Sequence, residues 1–206
     1  MYRGPKEKKE RALGTRLQLK GERSASPKSA VLRKPYPPGM HGHRRRVKGP
    51  SDFGRQIKEK QKCKLSYGLN ERSLRRIFED AFHMSGSTAV RLIELLESRL
   101  DNTVFHLGFA PSRAMARQLV VQGHIRVNGR KVISPGYVVK VNDLISIRPE
   151  SASKGPFKDL RQSLAKYEAP AWLKLDLEKL EGMVVAMPAE LSAPFEVNAL
   201  VESFSK

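Results

Sequence analysis

At 206 residues the chain is long enough for one or two domains with a real core, and its 39% hydrophobic content is that of a globular protein. Thirty-nine Lys+Arg against 21 Asp+Glu leave a formal charge of +18, which calls for a polyanionic partner, either nucleic acid or an anionic membrane surface. No apolar run approaches the length of a spanning helix, which argues against insertion. The single cysteine, Cys63, excludes an intrachain disulfide and a multi-cysteine zinc site and fits a reducing compartment.

Residues 1–50 hold 15 Lys+Arg against 3 acids, a net +12, together with six Gly and six Pro. Such a segment cannot bury enough apolar surface to offset its ordering entropy, so it is expected to be an extended, largely disordered tail when alone. It begins without an apolar stretch, unlike a secretory signal, and Glu7, Glu10 and Glu22 argue against a transit segment. Lys34-Pro35-Tyr36-Pro37-Pro38-Gly39 must run extended and then turn. Arg44, Arg45 and Arg46 follow beside His41 and His43, either as a phosphate-seeking patch or as a solvated charged loop.

Ser51-Asp52 is a helix cap. The helix it opens carries Lys58, Lys60 and Lys62, with Phe53 and Ile57 as its narrow apolar stripe and a wide basic face left for a partner or for solvent. Asn70 caps a more amphipathic helix, in which Leu74, Ile77, Phe78, Ala81 and Phe82 recur at core spacing. Ser85-Gly86-Ser87 interrupts the chain before a further stripe of Ala89, Leu92, Ile93, Leu96 and Leu100. Residues 51–170 are net +9 and residues 171–206 net −3, so the electrostatic footprint lies in the front and middle.

The region from Arg99 to Arg148 is the most informative. Ser112 caps a helix whose buried face is Met115, Ala116, Leu119 and Val120 and which ends at Gly123. Arg113 and Arg117, four apart, share another face, and His124, seven residues on, would keep that side. Asn128-Gly129 between alternating residues signals a tight hairpin, because both turn positions want positive φ. Ser134-Pro135-Gly136 and Asn142-Asp143 are further turns around short strands at Val138–Val141 and Leu144–Ile147. The unit predicted is helix, helix and small antiparallel sheet, with the helical arginines and the hairpin's Arg126, Arg130 and Lys131 converging on one concave basic surface.

These residues carry a resemblance. Arg99-Leu100-Asp101-Asn102, Gly108-Phe109-Ala110, Ser112-Arg113, Ala116-Arg117-Gln118-Leu119-Val120, Gly123-His124-Ile125 and Val127-Asn128-Gly129 resemble the RNA-binding domain named after small-subunit ribosomal protein S-four. Upstream, Pro38-Gly39-Met40-His41-Gly42, Phe53-Gly54, Lys58-Glu59-Lys60-Gln61-Lys62, Tyr67-Gly68, Glu71-Arg72 and Phe78-Glu79-Asp80-Ala81 resemble the rest of that ribosomal family. Downstream, Pro170-Ala171-Trp172-Leu173, Asp176, Glu181-Gly182, Pro188 and the ending Leu200 to Lys206 do so too. Met40 departs from the family's Gln. The N-terminal cysteine cluster that binds zinc in some members is absent, so no metal or other cofactor is expected.

The resemblance implies an α+β protein in four parts: a basic extended tail over 1–50, a helical domain over 51–96, the S-four-type domain over 97–150, and a C-terminal extension over 151–206. The last helix of that extension, with Val197, Leu200, Val201 and Phe204, is expected to pack back on the helical domain. It implies a non-enzymatic constituent of the small ribosomal subunit, located in the cytoplasm rather than an organelle matrix. Such a protein binds 16S-type ribosomal RNA early, nucleates assembly of the subunit body, and influences translational accuracy beside ribosomal protein S-five. It has no membrane or small-molecule partner. RNA contacts are expected at Arg99, Arg113, Arg117, His124, Arg126, Asn128, Arg130 and Lys131, with a second group at Lys58, Lys60 and Lys62 together with Arg44, Arg45 and Arg46. Arg44, Arg45 and Arg46 are expected to lie toward incoming messenger RNA. Arg99 could instead pair with Asp101, and Asn128 could serve only its turn. Two rival readings are a modification enzyme or synthetase using this domain as an RNA handle, and a free RNA chaperone. The first finds no glycine loop, nucleophile elbow or paired carboxylates in either flank.

Overall fold

The computed structural model describes residues 4–43, 49–152, 155–164, 167–189 and 194–204. Eleven α-helices lie among them: α1 (Lys6–Leu13), α2 (Glu22–Ala25), α3 (Ala30–Arg33), α4 (Asp52–Ser66), α5 (Glu71–His83), α6 (Thr88–Glu97), α7 (Leu100–His106), α8 (Arg113–Val121), α9 (Pro149–Ala152), α10 (Leu160–Leu164) and α11 (Val197–Glu202). Five strands complete the set: β1 (Ile125–Val127), β2 (Arg130–Lys131), β3 (Leu144–Ile147), β4 (Leu173–Asp176) and β5 (Glu181–Val184). Helices with one small antiparallel sheet make the chain α+β, as its sequence predicts. The chain divides into two compact units, residues 1–92 with 191–206 and residues 93–190, and the division falls inside α6.

In the first unit, residues 4–43 contain three short helices rather than an extended tail. Leu17 is buried there, and polar hubs add to so small an apolar core. Glu10 on α1 is buried, and its carboxylate accepts the backbone N–H groups of Leu17 and Leu19 at 3.1 and 3.3 Å. Arg11 donates Nε to the carbonyls of Lys34 and Tyr36 at 3.0 and 3.1 Å and stacks 4.8 Å above the Tyr36 ring. Hydrogen bonds to charged groups are stronger than neutral ones, so these two side chains organise a segment whose composition alone predicts disorder.

Ser51 caps α4 by accepting the Gly54 N–H, and Asn70 caps α5 by accepting the Ser73 N–H. The stripe expected to bury α4 is on the wrong side: Phe53 is 67% and Ile57 40% exposed. The buried face is instead Gln56, Glu59, Cys63 and Ser66, and α11 packs there. Glu59 accepts the Glu196 N–H at 3.0 Å and Gln56 donates to Glu202 at 3.0 Å. On α5, Leu74, Phe78 and Ala81 are buried as expected, whereas Phe82 is 65% exposed and lies outside the core. Phe78 stacks on Phe204 just beyond α11, with ring centroids 4.9 Å apart.

In the second unit, α7 and α8 pack together against one face of the sheet, whose strand order is β2-β1-β3-β5-β4 and whose neighbouring pairs are all antiparallel. Leu100 and Val104 of α7 with Leu107 at its C-cap, Ala116, Leu119 and Val120 of α8, and Ile125, Val127, Ile145, Ile147 and Val184 of the sheet form one cluster, closed by Phe157, Leu160 and Leu164. Two strands, β4 and β5, come from the stretch after residue 170, for which no strand was expected. The stretch Val138–Val141 is not a strand. Val138 makes only an isolated bridge with Arg99. Between β1 and β2, Asn128 and Gly129 have φ of 50° and 76°, the left-handed pair that a two-residue hairpin turn needs.

Gly182 on β5 marks a close approach. A Cβ there would run into the Leu107 side chain, which is itself fully buried. Gly182→Ala is therefore expected to destabilise this unit by about 1–3 kcal/mol through overpacking. Chemical denaturation measures that loss, and Gly182→Ala combined with Leu107→Ala, which alone costs about 2–5 kcal/mol, should lose less than the sum of the two single variants.

Candidate nucleic-acid interface

The N-cap of α8 is Ser112, whose hydroxyl accepts the Met115 N–H at 3.3 Å. With Ala116, Leu119 and Val120 buried, the helical repeat leaves Arg113 and Arg117 together on a partly exposed flank. Both are anchored from α7. Arg113 donates Nε to Asn102 Oδ1 at 2.7 Å, and its guanidinium lies 4.6 Å over the Phe105 ring. Arg117 Nη1 reaches Asp101 Oδ2 at 3.3 Å, with its side chain 33% exposed.

Arg99 does not belong to this surface. It is 8% exposed, and it grips Asp101 in a bidentate pair at 3.1 and 2.9 Å. The backbone around it is tied to the 135–139 loop, through Leu100 N–H to the Tyr137 carbonyl, Asp101 N–H to the Pro135 carbonyl and Val139 N–H to the Ser98 carbonyl. Of the two expectations for Arg99, the pairing with Asp101 is the one observed.

The hairpin residues do not converge on one concave face. Ile125 and Val127 point into the core, so Arg126 between them projects from the opposite face of the sheet. There it pairs across the ladder with Ser146, which in turn pairs with Glu181. It lies 3.8 Å from Glu150 and lines a cleft of about 360 Å³ with Arg161 and Lys179. Glu150 also binds Arg148 at 2.6 Å, and chiefly that hydrogen bond holds its carboxyl below the ordinary range. His124 is engaged elsewhere: its Nδ1 is 2.9 Å from Ser151 Oγ, and its ring meets Phe157 edge-on.

Arg130 and Lys131 are exposed at the hairpin, and among the described residues neither has a carboxylate at ion-pair distance. Asn128 gives both ends of its amide to the protein. Its Nδ2 donates to Asp143 Oδ1 and its Oδ1 accepts the Leu144 N–H, each at 2.8 Å. Asp143 also accepts the Lys140 N–H at 2.8 Å. The side chain thus clamps the hairpin tip to the next turn.

In the first unit the three lysines of α4 differ. Lys60 binds Glu71 at 2.6 Å and covers the Phe204 ring at 4.0 Å, while Lys62 binds Glu59 at 2.7 Å. Burial raises the Glu71 carboxyl, but hydrogen bonds and charges from Lys60 and Lys64 outweigh it and hold that group below the ordinary carboxylate range. Lys58 instead lines a cleft of about 260 Å³ with Arg11 and Lys34. Arg44, Arg45 and Arg46 lie outside the described residues.

Several cations escaped the sequence reading. Arg72, Arg75 and Arg76 stand exposed in one row on α5, at the i, i+3, i+4 spacing that could have been counted. Arg161 and Lys179 join Arg126 only through the fold. Among the described residues, no group of three His, Cys, Asp or Glu could hold a metal ion, and no helix is long and apolar enough to cross a membrane.

Two family models match the first 145 residues: "Ribosomal protein S4/S9 N-terminal domain" matches residues 1–97 and "S4 domain" matches residues 98–145. The chain belongs to the ribosomal protein S-four family. Among its relatives, small ribosomal subunit protein uS4 of Roseiflexus castenholzii is 47% identical, over 100% of this chain and 98% of its own length. That of Caldicellulosiruptor bescii is 45% identical over 100% and 99%, and that of Chloroflexus aurantiacus 46% over 100% and 98%. The S-four family is structural and not enzymatic, and its RNA-binding domain corresponds to the α7, α8 and hairpin assembly.

The Asn128 clamp makes a specific prediction. Asn128→Ala removes two hydrogen bonds and leaves a Cβ at a left-handed position, at a cost of about 1–3 kcal/mol. Equilibrium unfolding should register that loss, and Asn128→Gly, which relieves only the backbone, should register less.

Proposed function

We propose that this chain is a structural constituent of the small ribosomal subunit. In this reading it binds 16S-type ribosomal RNA early and helps to nucleate assembly of the subunit body. The full-length relationship to small-subunit proteins supports the setting. The observation that carries the binding mode is the pair Arg113 and Arg117, side by side on α8 and each held from α7, with Arg130 and Lys131 exposed on the hairpin of the same unit.

Folding a large RNA brings phosphate backbones together, and each approach costs repulsion. Guanidinium and ammonium groups set between them offset that repulsion and release condensed counterions. A-form helices hide their base edges in a narrow major groove, so phosphate and 2′-hydroxyl contacts dominate. The planar arginine fork suits two phosphate oxygens at once. The contact set proposed is therefore Arg113, Arg117, Arg130 and Lys131, with Arg126 and Lys58 serving other RNA segments. Arg99, Lys60 and Lys62 are assigned to the fold, His124 to its contact with Ser151, and Asn128 to its turn.

The finer roles belong to the same proposal. Arg44, Arg45 and Arg46 are assigned to incoming messenger RNA. A contact with ribosomal protein S-five that bears on translational accuracy is assigned to the α4–α11 surface. There a cleft of about 280 Å³ is lined by Asp52, Arg55, Gln56, Glu196, Ala199 and Glu202. A cytoplasmic ribosome is the proposed location.

The test is binding to a transcript of bacterial small-subunit ribosomal RNA across a salt series. Four phosphate-seeking cations predict a log–log slope of about −3 or steeper. Replacing Arg113 and Arg117 together by Glu should abolish tight binding while circular dichroism remains that of the folded protein. A flat salt dependence, or unchanged affinity of the folded double variant, contradicts this reading.

A further inference from the structure

The two arginines of α8 rest on a layer of buried groups that has no need of RNA to exist. Asp101 is 4% and Asn102 1% exposed, and they stand next to each other in the first turn of α7. Asp101 is claimed on one side by Arg99 and on the other by Arg117. Asn102 has its amide fixed in one sense. Its Nδ2 donates both to the Glu97 carbonyl at 2.9 Å and to the Glu97 carboxylate, which leaves only Oδ1 to meet Arg113 Nε at 2.7 Å. Glu97, 1% exposed, is held in turn by His106 Nε2 at 3.1 Å. The His106 carbonyl accepts the Tyr167 hydroxyl at 2.9 Å. One face of Arg113 is covered by Phe105.

Apolar residues at positions 101 and 102 could fill the same space without the desolvation cost of buried polar groups, which replacement by hydrophobes often relieves. What this layer does provide is direction. It binds Arg113 through Nε and Arg117 through Nη1 from the α7 side, and so fixes the direction of each side chain. An arginine carries a large rotamer entropy, and immobilising it at an interface costs affinity unless it is already ordered.

We propose that Asp101, Asn102 and Phe105 are positioning residues for RNA binding. Asn102 and Phe105 hold Arg113, and Asp101 holds Arg117, in the orientation that the RNA backbone takes. This rests on the reading of α8 as an RNA-contacting helix, and goes beyond it by assigning part of the affinity to groups that never touch RNA.

The experiment is a double-variant cycle on the full-length protein, binding a transcript of bacterial small-subunit ribosomal RNA well below the unfolding temperature. Asn102→Ala and Phe105→Leu are each made with Arg113 present and in the Arg113→Ala background. Each should weaken binding by about three- to tenfold when Arg113 is present and leave it unchanged when Arg113 is absent. Equal losses in both backgrounds show a merely structural effect and overturn the proposal. No loss in either background overturns it as well. If Arg113→Ala alone leaves affinity intact, the RNA-contacting role of α8 fails, and the positioning role with it. Phe105→Leu keeps an apolar side chain at the core's edge, so the cycle remains readable even where Asn102→Ala lowers the folded fraction.

Discussion

Two arginines, Arg99 from inside and Arg117 from outside, meet on the single buried carboxylate of Asp101. Much of the second unit depends on that junction. A buried carboxylate is tolerable only when its charge is paired and its lone pairs are filled, and Asp101 meets both conditions with guanidinium donors. The inner arginine lies beneath the 135–139 loop that the neighbouring backbone secures. The outer one is aimed at the surface. Asn102 does the same for Arg113 with a neutral amide whose orientation Glu97 dictates. The same two residues of α7 therefore join the core of the domain to its proposed nucleic-acid face.

The first unit uses related physics where apolar residues are scarce. Glu10 gathers two backbone N–H groups, Arg11 gathers two carbonyls across some 25 residues of sequence, and Glu59 and Gln56 bind α11 to α4. These contacts are directional and charge-assisted, so they define a geometry that scattered leucines could not. They also explain why a segment carrying so much positive charge, six glycines and six prolines need not be read as tail.

Much of the second unit was legible in the sequence because its signals are local. The Asn128-Gly129 turn, the Ser112 cap and the Met115 to Val120 face each follow from spacing within a dozen residues. Strands β4 and β5 were not legible: β4 carries the charged residues Lys174 and Asp176, β5 opens with Glu181-Gly182, and what makes them strands is pairing with β3. The buried face of α4 was missed because it is polar, and hydrophobic periodicity selects Phe53 and Ile57 instead. For the candidate site, composition marks which residues are cationic but not where they point. Period-two geometry on β1 could have separated Arg126 from Arg113 and Arg117, since Ile125 and Val127 are its apolar neighbours. That Lys60 and Lys62 are occupied by Glu71 and Glu59 required the fold in the first case. In the second, the three-residue spacing on one helix was already visible.

The central claim is that the arginines proposed to face RNA are ordered before it arrives. Its most direct test is nitrogen relaxation of arginine side-chain Nε–H groups in the protein without RNA. Arg113, whose Nε donates to Asn102, should show an order parameter approaching the rigid-backbone value of about 0.85, while Arg130 on the exposed hairpin should fall below about 0.6. Equal, low values for both would contradict the account.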